Sequence, residues 1–200
     1  VRLVPALLST FVVPLGGLLQ WRLRPGERSS CLATSLLLLT LLPVARHGRL
    51  AMLDGSQLSA MALLWLALAS LRGQRNDSYW ALTAGLMGSA MLLLKAPLLI
   101  PCAAAALAAV LWGLEWQRWR SGPAISCMAL GLLPGISWHL WHAHIRGGQA
   151  LWMWGGDGAG RVLLDAGEGS DLRWLVPLIE LLEGGWPWLL LLVPGLCWAW

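Results

Sequence analysis

The sequence predicts an all-α fold, a polytopic transmembrane helical bundle with about six to seven spans. Of its 200 residues, 58% are hydrophobic and only 12% are charged. A soluble domain carries roughly 25% charged residues, and long apolar runs at half that charge are typical of proteins that cross a membrane repeatedly. The net charge of +4 does not come from a basic cluster interleaved with aromatic residues. The composition therefore excludes a nucleic-acid partner.

The apolar runs define the candidate spans. A full span requires about 20 apolar residues. Tyr79 to Glu115 would reach roughly 55 Å as a single helix, whereas the hydrocarbon core is about 30 Å thick. The run must turn, and Pro97 predicts where, because proline cannot continue a helix but can begin one. The predicted spans are 3–20, 30–45, 56–71, 77–94, 98–115, 124–141 and a last one from 186.

These runs divide the chain into three regions. Residues 1–141 form a transmembrane helical region, 142–185 a long extracytoplasmic loop, and 186–200 the start of a further transmembrane helix. Within the loop, the stretch 171–183 sets charged residues against apolar ones, which predicts an interfacial amphipathic helix bent at Pro177. The chain has no initiator methionine and stops inside an apolar run. We therefore expect it to be an internal fragment of a larger membrane protein.

Basic residues in alternate loops predict the orientation. Seven arginines fall on one side and three basic residues in the short loops of the other, which favours the first side as cytoplasmic. We then expect Asp54 and the long loop to lie on the non-cytoplasmic face, together with the three basic residues of the short loops. The larger group is Arg22, Arg24, Arg28, Arg72, Arg75, Arg118 and Arg120, and the smaller group is Arg46, Arg49 and Lys95.

Arg46, Arg49 and Lys95 are the first candidate site residues. Ionisable groups at the membrane edge are costly, so a functional site is the default hypothesis. Arginine binds phosphate through bidentate hydrogen bonds and lysine binds it as a point charge. The three cations thus predict a phosphate or diphosphate site. Anchoring to lipid headgroups explains the same positions, and the residues alone leave both interpretations open.

Asp54 is the second candidate. Its carboxylate is suited to orient a cation or a sugar hydroxyl, or to act as a base. It also precedes Gly55 and an apolar helical run, where aspartate commonly serves as a helix N-cap. The local sequence favours the cap.

Metal binding and disulfides have little support in the sequence. His139 and His142 lie one helical turn apart, but no clear third ligand accompanies them. We assign no metal site, expect interfacial hydrogen bonding from these histidines, and leave a divalent-metal requirement open. The four cysteines lie in apolar segments without CxxC spacing, so they predict small buried side chains.

Two segments resemble glycosyltransferase family 39. Arg46-His-Gly-Arg-Leu-Ala-Met-Leu-Asp54, followed by an apolar helix, is similar to that family's "aR…mlD" segment. Gly85-Leu-Met-Gly-Ser-Ala-Met-Leu-Leu-Leu-Lys-Ala-Pro97 is similar to its "G…G…l.tKgP" segment. The family contains bacterial relatives of protein O-mannosyltransferases and of the aminoarabinose transferase that modifies lipid A. The likeness covers most of residues 30–115 in order and spacing.

The resemblance implies a GT-C enzyme of the bacterial cytoplasmic membrane. Such enzymes use a polyisoprenyl-phosphate sugar donor and act on the non-cytoplasmic face, with a lipid, glycan or protein as acceptor. Arg46, Arg49 and Lys95 would then bind the donor phosphate, and Asp54 would lie near the active site. The family's catalytic carboxylate lies in its first extracytoplasmic loop. Since nothing before Arg46 matches that motif, we expect the catalytic acid upstream of this chain.

A transporter or flippase for an anionic or lipid-linked substrate is the alternative. It would share charged residues at the membrane edge. Its site should however lie near the bilayer midplane on broken helices, often within inverted repeats. The charges here cluster at one interface and no repeat is apparent, which favours the enzyme.

Overall fold

The protein is described from a computed structural model that covers residues 3–41, 44, 53–71, 77–95, 99–112, 122–147, 176–191, 194–195 and 197. Every regular element in these ranges is helical, which confirms the all-α prediction. The elements are α1 (Leu3–Thr10), α2 (Val12–Leu23), α3 (Arg28–Thr40), α4 (Leu53–Ala69), α5 (Asp77–Lys95), α6 (Leu99–Trp112), α7 (Gly122–Arg146), α8 (Val176–Gly185) and a 3-10 turn (Trp188–Leu191).

Helices α1 and α2 form one nearly continuous rod that is interrupted at Phe11. Pro14 has no N–H and its ring crowds the carbonyl of Thr10, so the α-helical ladder breaks there. The backbone tightens instead, with Phe11 N–H donating to the Leu8 carbonyl at 3.3 Å. Among the described residues, Leu3–Leu23 and Gly122–Arg146 are long and apolar enough, by length and composition, to cross a membrane.

Helices α2 and α3 form an antiparallel hairpin. Gly26 has φ +104°, a left-handed conformation that suits glycine and lets the chain reverse between them. Gly16 and Gly17 in α2 lie against Leu38 and Ser35 in α3, so the helices approach closely. Many large apolar side chains of this hairpin point outward, including Leu18 and Leu36 at 54% and 61% exposure. An exposed apolar surface of this kind suits contact with lipid.

Helix α4 occupies the centre and packs against α1, α2 and α5. Its first turn meets α1, where a Cβ on Gly55 would lie 2.5 Å from Ser9 Cβ. Its last turn meets α2, where Arg22 Nε donates to Ser70 Oγ at 2.9 Å. The α1–α2 rod and α4 therefore run parallel.

Helices α5 and α7 make the most extensive contact of the bundle. A Cβ on Gly131 would lie 2.6 Å from the Leu82 carbonyl oxygen and 2.7 Å from Leu86 N, so the two backbones almost touch. Further along, Ser89 lies against Gly135 and Leu92 against His139. Because both partners advance together along the chain, α5 and α7 run parallel. Gly131 and Gly135 form a GxxxG pattern, the spacing that lets membrane helices approach closely.

The helix directions define two ends of the bundle. Arg22 contacts both Ser70 at the end of α4 and the Trp80 ring near the start of α5, at 2.9 Å and 6.0 Å. Helix α5 therefore runs back antiparallel to α4, and its last residue returns toward the start of α4. We call that end the Asp54 end, and the opposite one the Arg22 end.

The helix bounds bear on several predictions. Helix α5 ends at Lys95 and α6 begins at Leu99, bounds that agree with a break in the run from Tyr79 to Glu115, while Pro97 itself lies outside the described residues. Helix α8 begins at Val176, with Pro177 in its first turn, where proline is tolerated, and the bend at Pro177 stays a prediction because it depends on the residues before Val176. Residues 171–175 lie outside the described ranges. The span from 186 and the three-region division stay predictions.

Replacing Gly131 with alanine tests the α5–α7 crossing. We expect Gly131→Ala to lower the free energy of unfolding by about 1–3 kcal/mol, because the new methyl group would overlap the backbone of α5. Gly122→Ala is the matched control, since a Cβ there meets nothing within 4 Å. Thermal unfolding in detergent compares the two. Equal stability of the two variants would contradict the crossing.

Candidate functional site

The structure places two of the four predicted site residues. Asp54 is the second residue of α4 and is half-buried. Lys95 is the last residue of α5. Arg46 and Arg49 lie outside the described residues, so their phosphate-binding role stays a prediction.

Asp54 and Lys95 are carried to the same end of the bundle. Helix α4 starts at this end, and the antiparallel α5 finishes there. Residues 45–52, which contain Arg46 and Arg49, join directly to the start of α4. The helix directions therefore agree with the predicted shared face for Asp54 and Lys95, although the chain separates these two by the length of two helices; for Arg46 and Arg49 the shared face stays a prediction.

Asp54 lies inside the first helical turn and not at the N-cap position that the sequence favoured. A carboxylate in this turn is stabilised by the unpaired N–H groups and the positive end of the helix dipole. Asp54 also interacts with another residue of the protein. Its negative charge is thus stabilised locally, whatever else it binds.

A cluster of buried polar side chains follows Asp54 on α4. Ser56, Gln57 and Ser59 are only 4%, 4% and 7% exposed. Within the described part of the chain, the hydroxyls of Ser56 and Ser59 have no hydrogen-bond partner. A buried polar group without a partner costs about 1–3 kcal/mol. Such a cluster in an otherwise apolar helix indicates a polar ligand or a polar neighbour at the Asp54 end.

The end of α7 adds aromatic and imidazole groups at this end. His139 Nε2 lies 3.2 Å from the Leu92 carbonyl oxygen, one turn before the end of α5. The Trp138 and Trp141 rings are exposed and lie 5.3 Å apart, as expected of an aromatic belt at a membrane surface. The histidine contact agrees with the predicted hydrogen-bonding role. The described residues contain no group of three metal-ligating side chains.

The Arg22 end is built differently. Arg22 donates a hydrogen bond to Ser70 and makes a cation–π contact with the Trp80 ring. The same end contains Asp77, which is 5% exposed in the first turn of α5. These contacts join the ends of α2 and α4 to the start of α5. They fix the positions of the helices, and we assign no ligand to them.

Comparison with family models, with curated proteins and with solved structures gives no significant match to this chain. The resemblance to glycosyltransferase family 39 therefore depends on the two quoted segments alone. It enters below as a proposal.

The sequence analysis missed the polar cluster on α4. Its signal is present in Gly55-Ser-Gln-Leu-Ser59, where polar residues interrupt the start of an apolar run. If Asp54 is interpreted as the N-cap, the polar residues that follow it indicate only the start of a helix. Their burial is what distinguishes them, and Gly55 beside them lies against Ser9 of α1.

Cysteine labelling tests which end faces outward. In a background with the native cysteines replaced by serine, we expect a membrane-impermeant maleimide to label Arg146→Cys in intact cells. It should label Arg28→Cys only after permeabilisation, because Arg146 ends α7 at the Asp54 end and Arg28 begins α3 at the opposite end. Both side chains are exposed. The reverse pattern would place the Asp54 end in the cytoplasm.

Proposed function

We propose that this protein is an integral-membrane glycosyltransferase. It transfers a sugar from a polyisoprenyl-phosphate donor to an acceptor hydroxyl on the non-cytoplasmic face, at the Asp54 end. The observation that carries the proposal is the buried polar start of α4 at the end where α5 finishes in Lys95. These two helix ends coincide with the two segments that resemble glycosyltransferase family 39.

The proposal includes the membrane arrangement. Six of the six to seven proposed spans are the α1–α2 rod, α3, α4, α5, α6 and α7. The alternating helix directions support this arrangement. Because α5 and α7 are parallel, the chain must return to the opposite end after α5 and before α7, and α6 lies in that part of the chain. The protein is proposed to lie in the bacterial cytoplasmic membrane.

The proposed chemistry breaks the bond between the anomeric carbon and the donor phosphate oxygen and forms a bond to the acceptor oxygen. A carboxylate takes the acceptor proton, and the polyisoprenyl phosphate leaves with the bonding electron pair. Arg46, Arg49 and Lys95 stabilise the charge that develops on the phosphate. We assign no catalytic base among the described residues, and we expect the catalytic carboxylate to lie upstream of this chain.

The start of α4 is proposed to bind the sugar. Sugar hydroxyls need both donors and acceptors, and serine hydroxyls supply both. Ser56 and Ser59 are buried without a partner among the described residues, so a bound hydroxyl would satisfy them. Asp54, two residues before Ser56 on the same helix, is proposed to orient the same sugar.

Charge removal tests the donor site. We expect Arg46→Gln, Arg49→Gln and Lys95→Gln each to reduce sugar transfer roughly ten- to hundredfold, because each removes a charged hydrogen bond to phosphate. The assay uses membranes that contain the complete protein, and it follows transfer from a panel of radiolabelled polyprenyl-phosphate sugars.

Arg146→Gln is the matched control, since Arg146 is an exposed cation at the same end. Unchanged transfer in all three site variants, with the protein inserted normally, would contradict the enzyme. Intact transfer with lost movement of the lipid-linked donor across the membrane would favour the flippase.

A further inference from the structure

The carboxyl end of α5 needs hydrogen-bond donors from outside its own helix. Helix α5 ends at Lys95, so its last turn consists of residues 92–95. The carbonyls of a last turn carry the negative end of the helix dipole, and most of them find no N–H group further along the helix. Where water is scarce, as at the edge of a bilayer, such carbonyls are costly unless another donor reaches them.

His139 of α7 supplies a donor to this turn. Its Nε2 atom lies 3.2 Å from the carbonyl oxygen of Leu92. A carbonyl oxygen can only accept a hydrogen bond, so the contact requires the proton on Nε2. Histidine side chains at the carboxyl end of a helix bond its last carbonyls and interact favourably with the dipole. Here the histidine belongs to the neighbouring helix, so it caps α5 across the interface.

The contact face of α7 explains why His139 reaches α5. Gly131, Gly135 and His139 recur every four residues and therefore lie along one face of the helix. The two glycines bring the backbones of α5 and α7 together, which leaves a side chain one turn beyond Gly135 within reach of the end of α5. Trp138 and Leu140, on either side of His139, are exposed, whereas His139 is half-buried. The imidazole therefore faces α5, in agreement with its contact.

The cap lies three residues before Lys95. This separation is about 4.5 Å along the helix axis. Helix ends fray when their last turn is not held, and fraying here would move the backbone of Lys95 relative to α7 and α4. A charged group that binds phosphate in a reaction needs a fixed position, because a displacement of about 1 Å can cost a large part of an enzyme's rate.

We propose that His139 is a positioning residue. It caps the carboxyl end of α5 from α7 and so holds the backbone of Lys95 in the place where the donor phosphate binds. In this role it acts through Lys95 and does not contact the donor. The effect on the donor rests on the proposed function, whereas the cap itself rests on the contact between His139 and Leu92.

Two polar substitutions distinguish the cap from a general structural role. His139→Gln puts an amide N–H near the position of Nε2, so the bond to Leu92 can be kept. His139→Asn ends near the position of Nδ1 and is too short to reach the same oxygen. His139 has a further interaction within the protein, so loss with asparagine and recovery with glutamine is the pattern that identifies the Nε2 contact. His142→Asn, one turn further along α7 at an exposed position, is the matched control.

Hydrogen exchange measures the cap without reference to sugar transfer. The complete protein is exchanged in detergent, and peptides that cover residues 92–95 are compared with peptides from the middle of α5. We expect His139→Asn to speed exchange of the last turn roughly fivefold, the effect of losing one hydrogen bond. His139→Gln and His142→Asn should exchange like the unmodified protein. Unchanged exchange in His139→Asn would overturn the cap, whether or not the protein transfers sugar.

Kinetics test whether the cap acts through Lys95. With the polyprenyl-phosphate sugar that the unmodified protein uses, His139→Asn should lower kcat/KM for the donor roughly fivefold, and His139→Gln should restore it. In a Lys95→Gln background, His139→Asn should have little further effect, because both changes act on one contact.

Two kinetic results would overturn the positioning role. One is that the losses from Lys95→Gln and His139→Asn add independently, and the other is that exchange of the last turn becomes faster while kcat/KM stays unchanged. A lack of transfer by the unmodified protein would contradict the proposed function, and the exchange experiment would still decide the cap.

Discussion

The parallel crossing of α5 and α7 is the constraint on which the arrangement of the bundle depends. Lipid is as apolar as leucine, so helices in a membrane gain little from burying aliphatic side chains against each other. Close backbone approach and polar contacts replace that driving force. Gly131 brings the two backbones together, and Gly135 N–H donates to Ser89 Oγ two turns further along α5 from Leu82. The fixed register then sets where both helices end.

Several consequences follow from this register. Because α5 and α7 are parallel, the segment that contains α6 has to lead the chain back to the opposite end before α7 begins. The carboxyl ends of α5 and α7 therefore lie together. The histidines of α7 are thereby placed beside the end of α5, as the contact between His139 and Leu92 shows. The antiparallel packing of α4 on α5 adds Asp54 to the same end. Residues that are remote in the chain are assembled by helix direction.

Local chemistry explains which features the sequence could predict. The end of helix α5 at Lys95 is explained by the nearby Pro97, which cannot continue a helix, and helix α5 itself by a continuous apolar run, so both could be predicted. The break at Phe11 also has a local cause in Pro14, but a single proline in an apolar run was compatible with one span. The facing of Gly85 and Gly131 depends on contacts across distant parts of the chain. No local sequence pattern predicts which glycines of two helices face each other.

The candidate site shows the same limit. Asp54 and Lys95 could be selected because charges are conspicuous in an apolar sequence. Ser56 and Ser59 could not, since serine occurs at helix starts for many reasons and only burial makes it costly here.

The directions of α5 and α7 are tested most directly by spin-label distances. Labels on cysteines at Leu93 and Leu140, both exposed, should be close, because Leu92 already contacts His139. A label at exposed Ile125 should lie roughly 20 Å farther along the axis from Leu93, given 1.5 Å per residue. A short Leu93–Leu140 distance with a long Leu93–Ile125 distance is the predicted result. The opposite order would mean antiparallel helices and would separate the end of α5 from the end of α7.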